Sequence, residues 1–229
     1  MFENNLLALL QLTDPTLPIG GYAHSSGLET YVQQGIVKDL HFAREFVTAM
    51  LTYNLQYTDA AFVSFAYDAA AENHWERIKQ LDEECTAVKL PSEIRQSSQK
   101  LGMRLLKIFA PLLTDMSIRK YTDAVYSGEI AGHYSIAFGL CANALKILKP
   151  ATLTGFYYNA TSSMITNCVK LIPLGQQDGQ ELLFSLHPLI QQLALNSLQP
   201  DPAMVGLCCP GFDMRCMQHE LLYSRLYMS

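Results

Sequence analysis

The sequence predicts an all-α protein, and three observations support this. Apolar residues recur at helical spacing along nearly the whole chain, and no stretch alternates with a period of two for long enough to need a sheet. Prolines and glycines fall between the periodic stretches. No internal repeat, low-complexity tract or long linker divides the chain. We therefore expect one domain over residues 1–229, built from about seven to ten helices.

The composition restricts the classes of function. The chain is 49% hydrophobic and 16% charged, with a net charge of −5 at pH 7. Soluble proteins carry about 25% charged residues, so we expect apolar surface that a partner covers. The acidic balance argues against nucleic acid as the main ligand. Neither a signal peptide nor a membrane span is recognisable, so we expect a cytoplasmic protein whose six cysteines are free.

The chain opens with an amphipathic, leucine-rich stretch over residues 7–12, followed by a shaped loop over 15–29. The loop contains two prolines and the pair Gly20-Gly21, which allows positive φ. Ser26-x-x-Glu29 fits a capping box and predicts that a helix restarts at Ser26.

This loop has two interpretations. It either presents Tyr22, His24 and Ser25 on a preformed surface or simply connects two helices. Connection is the commoner role of loops.

The next helix boundaries are marked by their capping residues. Gly35 lies where the restarted helix should stop, and Asp39 lies where the N-cap of the following helix belongs. That helix carries a broad apolar stripe over residues 42–51.

Two long helices are expected in the middle of the chain. Ser92 is positioned to cap the first, whose apolar ladder runs over 101–112. The stretch 132–148 is apolar on most sides, which predicts a central, closely packed helix that Pro150 ends. The acidic run 82–84 is most simply explained as a solvated face.

The C-terminal third predicts three more helices. Residues 152–171 and 180–198 read as long helices separated by 172–179. The proline- and glycine-rich segment 199–212 is the most loop-like part of the chain, and a short last helix should start at Asp213.

Lys170 is a candidate contact residue because it lies at the end of an apolar helix, just before a proline break. A lysine at this position either caps the last carbonyl groups of the helix or points toward an acidic or phosphate group of a partner. Gln176 and Gln177 could make polar contacts beside it.

Four soft metal ligands lie within a dozen residues near the C-terminus: Cys208, Cys209, Cys216 and His219. Their spacing differs from that of structural zinc sites. A small soft-metal-binding protein is therefore the alternative function. No nucleophile, nucleotide-binding or metalloprotease motif occurs, so the spacing of the residues offers no catalytic constellation and no bound cofactor is expected.

Five blocks of sequence carry a resemblance to a known family. The first is LLQLTDPTLPIGGYAHSSGLE, which ends at Glu29, and the last is MRCMQHELLYSRLYMS at the C-terminus. Between them lie the blocks 92–109, 133–145 and 169–183. In this order, over residues 7–229, the blocks resemble the urease accessory protein F family.

The resemblance implies an all-α, non-enzymatic accessory protein in urease maturation. It implies a homodimer that binds urease accessory protein D, also called H, and recruits the nickel-carrying GTPase, urease accessory protein G. The complex then delivers nickel to apo-urease. Nucleic acid and membranes are not among the implied partners.

The resemblance also implies partner-binding residues. Lys170, with Gln176 beside it, is expected to contact the GTPase. The C-terminal end is expected to bind a partner, and the N-terminal loop is expected to belong to the dimer or partner scaffold. The residues of these two segments are Tyr223 and Arg225, and Tyr22, Ser25 and Glu29.

Overall fold

The computed structural model describes residues 2–207 and 209–228, and this part of the chain forms twelve α-helices and no strand. The all-α prediction is confirmed, with slightly more helices than the predicted seven to ten. The helices are α1 (Phe2–Leu12), α2 (Leu28–Gln33), α3 (Leu40–Ala49), α4 (Asp59–Ala71), α5 (Trp75–Val88), α6 (Ser92–Phe109), α7 (Met116–Ser127), α8 (Tyr134–Ala144), α9 (Lys149–Leu171), α10 (Gln176–Ser185), α11 (His187–Asn196) and α12 (Pro210–His219). No helix in this part of the chain is long and apolar enough to cross a membrane.

Helix α8 is the central helix, as its apolar sequence predicts. Its residues from Ser135 to Ala142 are all buried, and it packs against α4 and α6. The contact with α4 is close because Gly139 has no side chain: a Cβ there would lie 2.6 Å from the carbonyl oxygen of Val63. A Cβ at Gly102 of α6 would likewise collide with the carbonyl oxygen of Gly132. Small residues thus set the distances between the three helices.

The acidic run 82–84 is only partly a solvated face, and the prediction is wrong for Asp82. Glu83 and Glu84 are exposed, whereas Asp82 is 1% exposed. Its carboxylate accepts hydrogen bonds from the backbone N–H groups of Ala131, Gly132 and His133, at 2.7, 3.1 and 3.1 Å. The Tyr121 hydroxyl donates a further bond. The carboxylate therefore holds the turn that leads into α8.

Prolines and capping residues shift several predicted boundaries. Pro150 does not end the α8 helix but lies in the first turn of α9, where a missing N–H costs nothing. Pro188 similarly starts α11 and divides the predicted helix 180–198 in two. Asp39 caps α3 as predicted, accepting from the N–H of Phe42. Ser92 does not cap α6, because its hydroxyl donates to Glu220 instead.

His133, at the N-terminus of α8, is buried and held neutral. The Thr86 hydroxyl donates to the carbonyl of Asp82, so it accepts from Nε2–H of His133 over 2.8 Å. Nδ1 then accepts from the Ser98 hydroxyl, 3.0 Å away. Burial lowers the pKa of His133 to about 4. Both ring nitrogens are therefore satisfied without a charge.

This burial predicts an acid-sensitive stability. The unfolded chain binds a proton at His133 near pH 6.5, but the folded chain does not until about pH 4. The contribution of the neutral His133 ring to the free energy of unfolding is thus complete above pH 6.5 and is lost as the pH falls from 6.5 towards 4. Between pH 7.5 and pH 5, the free energy of unfolding should fall by about 2 kcal/mol more in the wild type than in His133→Gln. Urea denaturation at both pH values measures this difference, and equal losses would contradict the assignment.

Candidate partner interface

The N-terminal loop takes its shape from Gly20 and from a contact with α6. Gly20 has φ +83°, and a Cβ there would collide with the guanidinium of Arg104. That guanidinium donates to the carbonyl oxygen of Ile19 over 2.9 Å. A side chain at Gly20 would therefore be excluded both by the positive φ and by Arg104. Gly21 has an ordinary φ and open space where a Cβ would lie, so it does not require glycine.

The predicted capping box at Ser26 is wrong. Gly27, with φ +78°, is the N-cap of α2, and no side chain caps this helix end. The backbone N–H of Glu29 lies 3.5 Å from the hydroxyl of Ser25 rather than that of Ser26. The box does not form because the Glu29 carboxylate accepts hydrogen bonds from the C-terminal segment instead.

Glu29 anchors the C-terminal segment, although it is only 4% exposed. Its Oε1 accepts from the backbone N–H of Leu226 at 2.7 Å, and Oε2 accepts from that of Tyr227 at 3.2 Å. Nε2 of His219 lies 3.2 Å from the same Oε2. One buried carboxylate from α2 thus binds the end of the chain, nearly 200 residues away. Sequence spacing gives no signal for this pairing.

His219 joins two carboxylates. Its Nδ1 lies 2.7 Å from Oε2 of Glu93, and its Nε2 faces Glu29. Because both ring nitrogens face acceptors, only the imidazolium form donates to both. Arg225 donates to the other oxygen of Glu93 at 2.7 Å. Two acidic and two basic side chains therefore fasten α2, α6, α12 and the C-terminal segment together.

The C-terminal segment is fixed through its backbone while its apolar side chains face outward. After α12, Gln33 donates to the carbonyl of Ser224 at 3.0 Å, and the N–H of Met228 donates to the carbonyl of Ala23 at 2.8 Å. Tyr227 is buried. Four other apolar or aromatic side chains are exposed, Leu221 84%, Tyr223 106%, Leu226 68% and Met228 60%, whereas Leu222 is half-buried. We call these four residues, with Tyr22 of the adjacent loop, the C-terminal surface.

The predicted site residues divide by their exposure. Tyr22 is 72% exposed and Tyr223 fully so, whereas Ser25, Glu29 and the loop residue His24 are buried. Of the three side chains that the loop was expected to present, only Tyr22 is therefore presented. Glu29 and Ser25 hold the loop and the chain end rather than facing solvent.

Lys170 and Gln176 lie on either side of the turn between α9 and α10, and both are exposed. Within residues 2–207 and 209–228, Lys170 has no side-chain hydrogen bond or ion pair. Asn167, one turn earlier on α9, donates to the carbonyl of His24 at 2.9 Å. This end of α9 therefore reaches the N-terminal loop. Gln177 instead bonds to Glu181 at 3.1 Å.

The sulfur-rich C-terminal cluster does not assemble as a metal site within the described residues, where no group of three or more ligands converges. Cys208 lies outside those residues. The Cys209 thiol donates to the carbonyl of Tyr53, and burial raises the pKa of the Cys216 thiol, which disfavours the thiolate that binds metal. Both nitrogens of His219 already face carboxylates.

An exposed aromatic cluster, which the sequence reasoning missed, lies across α9, α10 and the start of α11. The Phe184 and His187 rings are 5.1 Å apart, and the Tyr158 and His187 rings are 6.2 Å apart. Phe184 is 74% exposed. We call these three residues the aromatic patch. Tyr158 lies 26 and 29 positions before the other two members, so only the packing of α10 and α11 on α9 brings it to them.

Comparison with known proteins agrees with the sequence blocks. The sequence model of the UreF family matches residues 37–187. The urease accessory protein UreF of Haemophilus influenzae strain Rd is 46% identical over 225 residues, which cover 98% of this chain and 96% of that protein.

Two further relatives carry the same name. The UreF protein of Actinobacillus pleuropneumoniae serotype 5b is 46% identical over 97% of this chain and 98% of its own length. The UreF protein of Bacillus sp. strain TB-90 is 30% identical over 99% of this chain and 100% of its own length. With the family match and near-complete coverage of its relatives, the chain belongs to the urease accessory protein UreF family.

Proposed function

We propose that this chain is a non-catalytic adaptor in urease maturation. It binds urease accessory protein D, or its equivalent H, and recruits the GTPase accessory protein G, which carries the nickel destined for apo-urease. Membership of the UreF family supports the role in maturation. Nickel is the cargo of the assembled complex, and no residue of this chain is assigned to hold it.

The observation that carries the adaptor proposal is the C-terminal surface. Its backbone is fastened by Glu29 and by Met228 N–H, so the segment is ordered before any partner arrives. Its apolar side chains nevertheless face solvent, where they gain nothing for the stability of the fold. A preorganised, exposed set of leucine, methionine and tyrosine side chains is suited to bind a protein, because little ordering entropy remains to be lost. We assign this surface to accessory protein D.

The turn between α9 and α10 supports a second contact. Lys170 is exposed and unpaired within the described part of the chain, and Gln176 opens the next helix beside it. A free ammonium group and an amide can recognise an acidic or phosphate group. We assign this turn to accessory protein G.

The aromatic patch supports a homodimer. Exposed aromatic side chains are enriched at protein interfaces, and Phe184 would otherwise leave most of its ring in water. A two-fold axis near α10 would place the patch against its own copy. We also place the protein in the cytoplasm, which the reduced thiols of four described cysteines support: Cys85, Cys141, Cys168 and Cys216.

The C-terminal surface gives the first test of function. Tyr223→Ala should weaken binding to purified accessory protein D by at least about tenfold, because an exposed tyrosine is a common energetic anchor. Its thermal stability should be unchanged, since the side chain contacts solvent. Tyr53→Ala, at another exposed tyrosine, is the matched control. Isothermal titration calorimetry measures both, and equal affinities for Tyr223→Ala and the wild type would remove this assignment.

The second test concerns the GTPase. Lys170→Ala should lower the recovery of accessory protein G in the ternary complex on size-exclusion chromatography by several-fold, while accessory protein D still co-elutes, since one charge-assisted contact is lost. Lys146→Ala, another exposed lysine, should have no effect. If Lys170→Ala retains G but changes its GTP turnover, Lys170 acts on the nucleotide and is not an anchor.

The third test concerns the dimer. Phe184→Asp should convert a dimer into a monomer, because the aspartate is exposed in the monomer but would be a buried charge in a dimer formed through the aromatic patch. Leu148→Asp, at another exposed apolar position, should stay dimeric. Light scattering after size-exclusion chromatography gives the two masses, and a dimeric Phe184→Asp would place the dimer interface elsewhere.

A further inference from the structure

Residues 100–120 carry a strong local positive charge in an acidic protein. They contain five lysines and arginines but only one acidic residue, whereas the whole chain has 16 basic and 21 acidic residues. The five cations are Lys100, Arg104, Lys107, Arg119 and Lys120. We call this segment the basic surface. Neither the predicted site residues nor the assigned functions use it.

All five cations are exposed. Lys100, Arg104 and Lys107 are spaced by four and three residues, so they share the face of α6 opposite its buried side. Arg119 and Lys120 lie on α7, which contacts α6 directly and through the short 3-10 turn Ala110–Leu112. The segment therefore forms one helical corner.

The charge of this corner is not neutralised by its own fold. Within the described residues, none of the five cations forms an ion pair, whereas Arg77, Lys79 and Lys149 each pair with a carboxylate at 2.6–2.8 Å. The single acidic residue, Asp115, accepts from the N–H groups of Ser117 and Ile118 and so caps α7. Asp123 follows one turn after Arg119 without reaching it.

Apolar side chains are exposed among these charges. Met103 is 42% exposed, Leu112 65% and Met116 61%. Arginine and methionine are both enriched at protein interfaces, and methionine adapts its shape to a partner. The combination of cations that form no ion pair with exposed methionine and leucine side chains therefore favours a protein interface over a merely solvated face.

The basic surface is continuous with the C-terminal surface. Arg104 donates to the carbonyl of Ile19, at the start of the loop that carries Tyr22. Burial lowers the pKa of His24 in that loop, and the nearby charges of Lys100 and Arg104 lower it further. Met228 bonds to Ala23 of the same loop. A partner bound to the C-terminal surface would therefore lie beside the cations of α6.

We propose that the basic surface binds an acidic segment of the protein partner that occupies the C-terminal surface. The inference rests on the proposed adaptor function and adds the chemistry of the partner: a run of aspartate and glutamate with apolar residues among them. The net charge of −5 disfavours an extended polyanion such as nucleic acid or an anionic membrane, but a short acidic segment would meet only the local charge. Its attraction would speed association and fix the orientation of the complex.

Charge reversal tests this proposal. Lys100→Glu/Lys107→Glu changes two exposed side chains, and Lys38→Glu/Lys146→Glu makes the same change in net charge elsewhere on the surface. The rate of binding to purified accessory protein D is measured by biolayer interferometry at about 50 and about 500 mM NaCl. We expect the first variant to bind at least about tenfold more slowly at low salt and nearly normally at high salt, because salt screens exposed charges. The control should stay within about twofold of the wild type.

Each result is decisive. Wild-type association by Lys100→Glu/Lys107→Glu at low salt would overturn the proposal while leaving the adaptor function intact. An equal loss in the control would also overturn it, because the effect would then come from net charge alone. If the wild type binds neither D nor G, the proposed function itself fails. A loss restricted to binding of phosphatidylserine vesicles or single-stranded DNA would overturn the acidic protein segment in favour of those polyanions.

Discussion

The buried carboxylate of Asp82 is the interaction on which the central packing depends. It accepts hydrogen bonds from three consecutive backbone N–H groups and from the Tyr121 hydroxyl, and so fixes the turn from Ala131 to His133. That turn places the first residue of α8, and α8 in turn contacts α4 and α6 through the close approaches at Gly139 and Gly102. The negative charge also lies at the positive end of the α8 dipole. Removing the acceptor would leave several buried donors unsatisfied, which costs more than the bonds themselves contribute.

A second buried carboxylate binds backbone N–H groups at the C-terminal end, but there it orders a surface segment. Glu29 is also a buried carboxylate that accepts consecutive backbone N–H groups, those of Leu226 and Tyr227. Here the held segment lies at the surface, and its side chains other than those of Leu222 and Tyr227 remain exposed to a partner. Nε2 of His219 faces Glu29 and its Nδ1 faces Glu93, while Arg225 donates to the other oxygen of Glu93. Such a satisfied polar network orders a segment without covering it, which a hydrophobic contact could not do.

The two surfaces and the turn at Lys170 meet around one loop. Ile19 bonds to α6, His24 to α9, and Ala23 to the chain end. The N-terminal block of the family resemblance therefore acts as a junction between three candidate contact regions. This explains why Ser25 and Glu29 are buried although they belong to the strongest sequence signature: they position what other residues present. The adaptor proposal and the acidic-segment proposal both use this arrangement, with α6 supplying charge and the chain end supplying apolar contact.

The sequence by itself determined the all-α class, the central helix α8, the Asp39 cap and the family, because helical periodicity, caps and ordered motifs are local. It misplaced Pro150, since a proline next to a helix marks either an end or a start, and only packing decides which. It missed the burial of Asp82, the use of Glu29 and the aromatic patch, because each joins residues on different helices. The tertiary structure alone decided these, since a carboxylate is buried only where folding brings backbone donors from elsewhere in the chain to satisfy it.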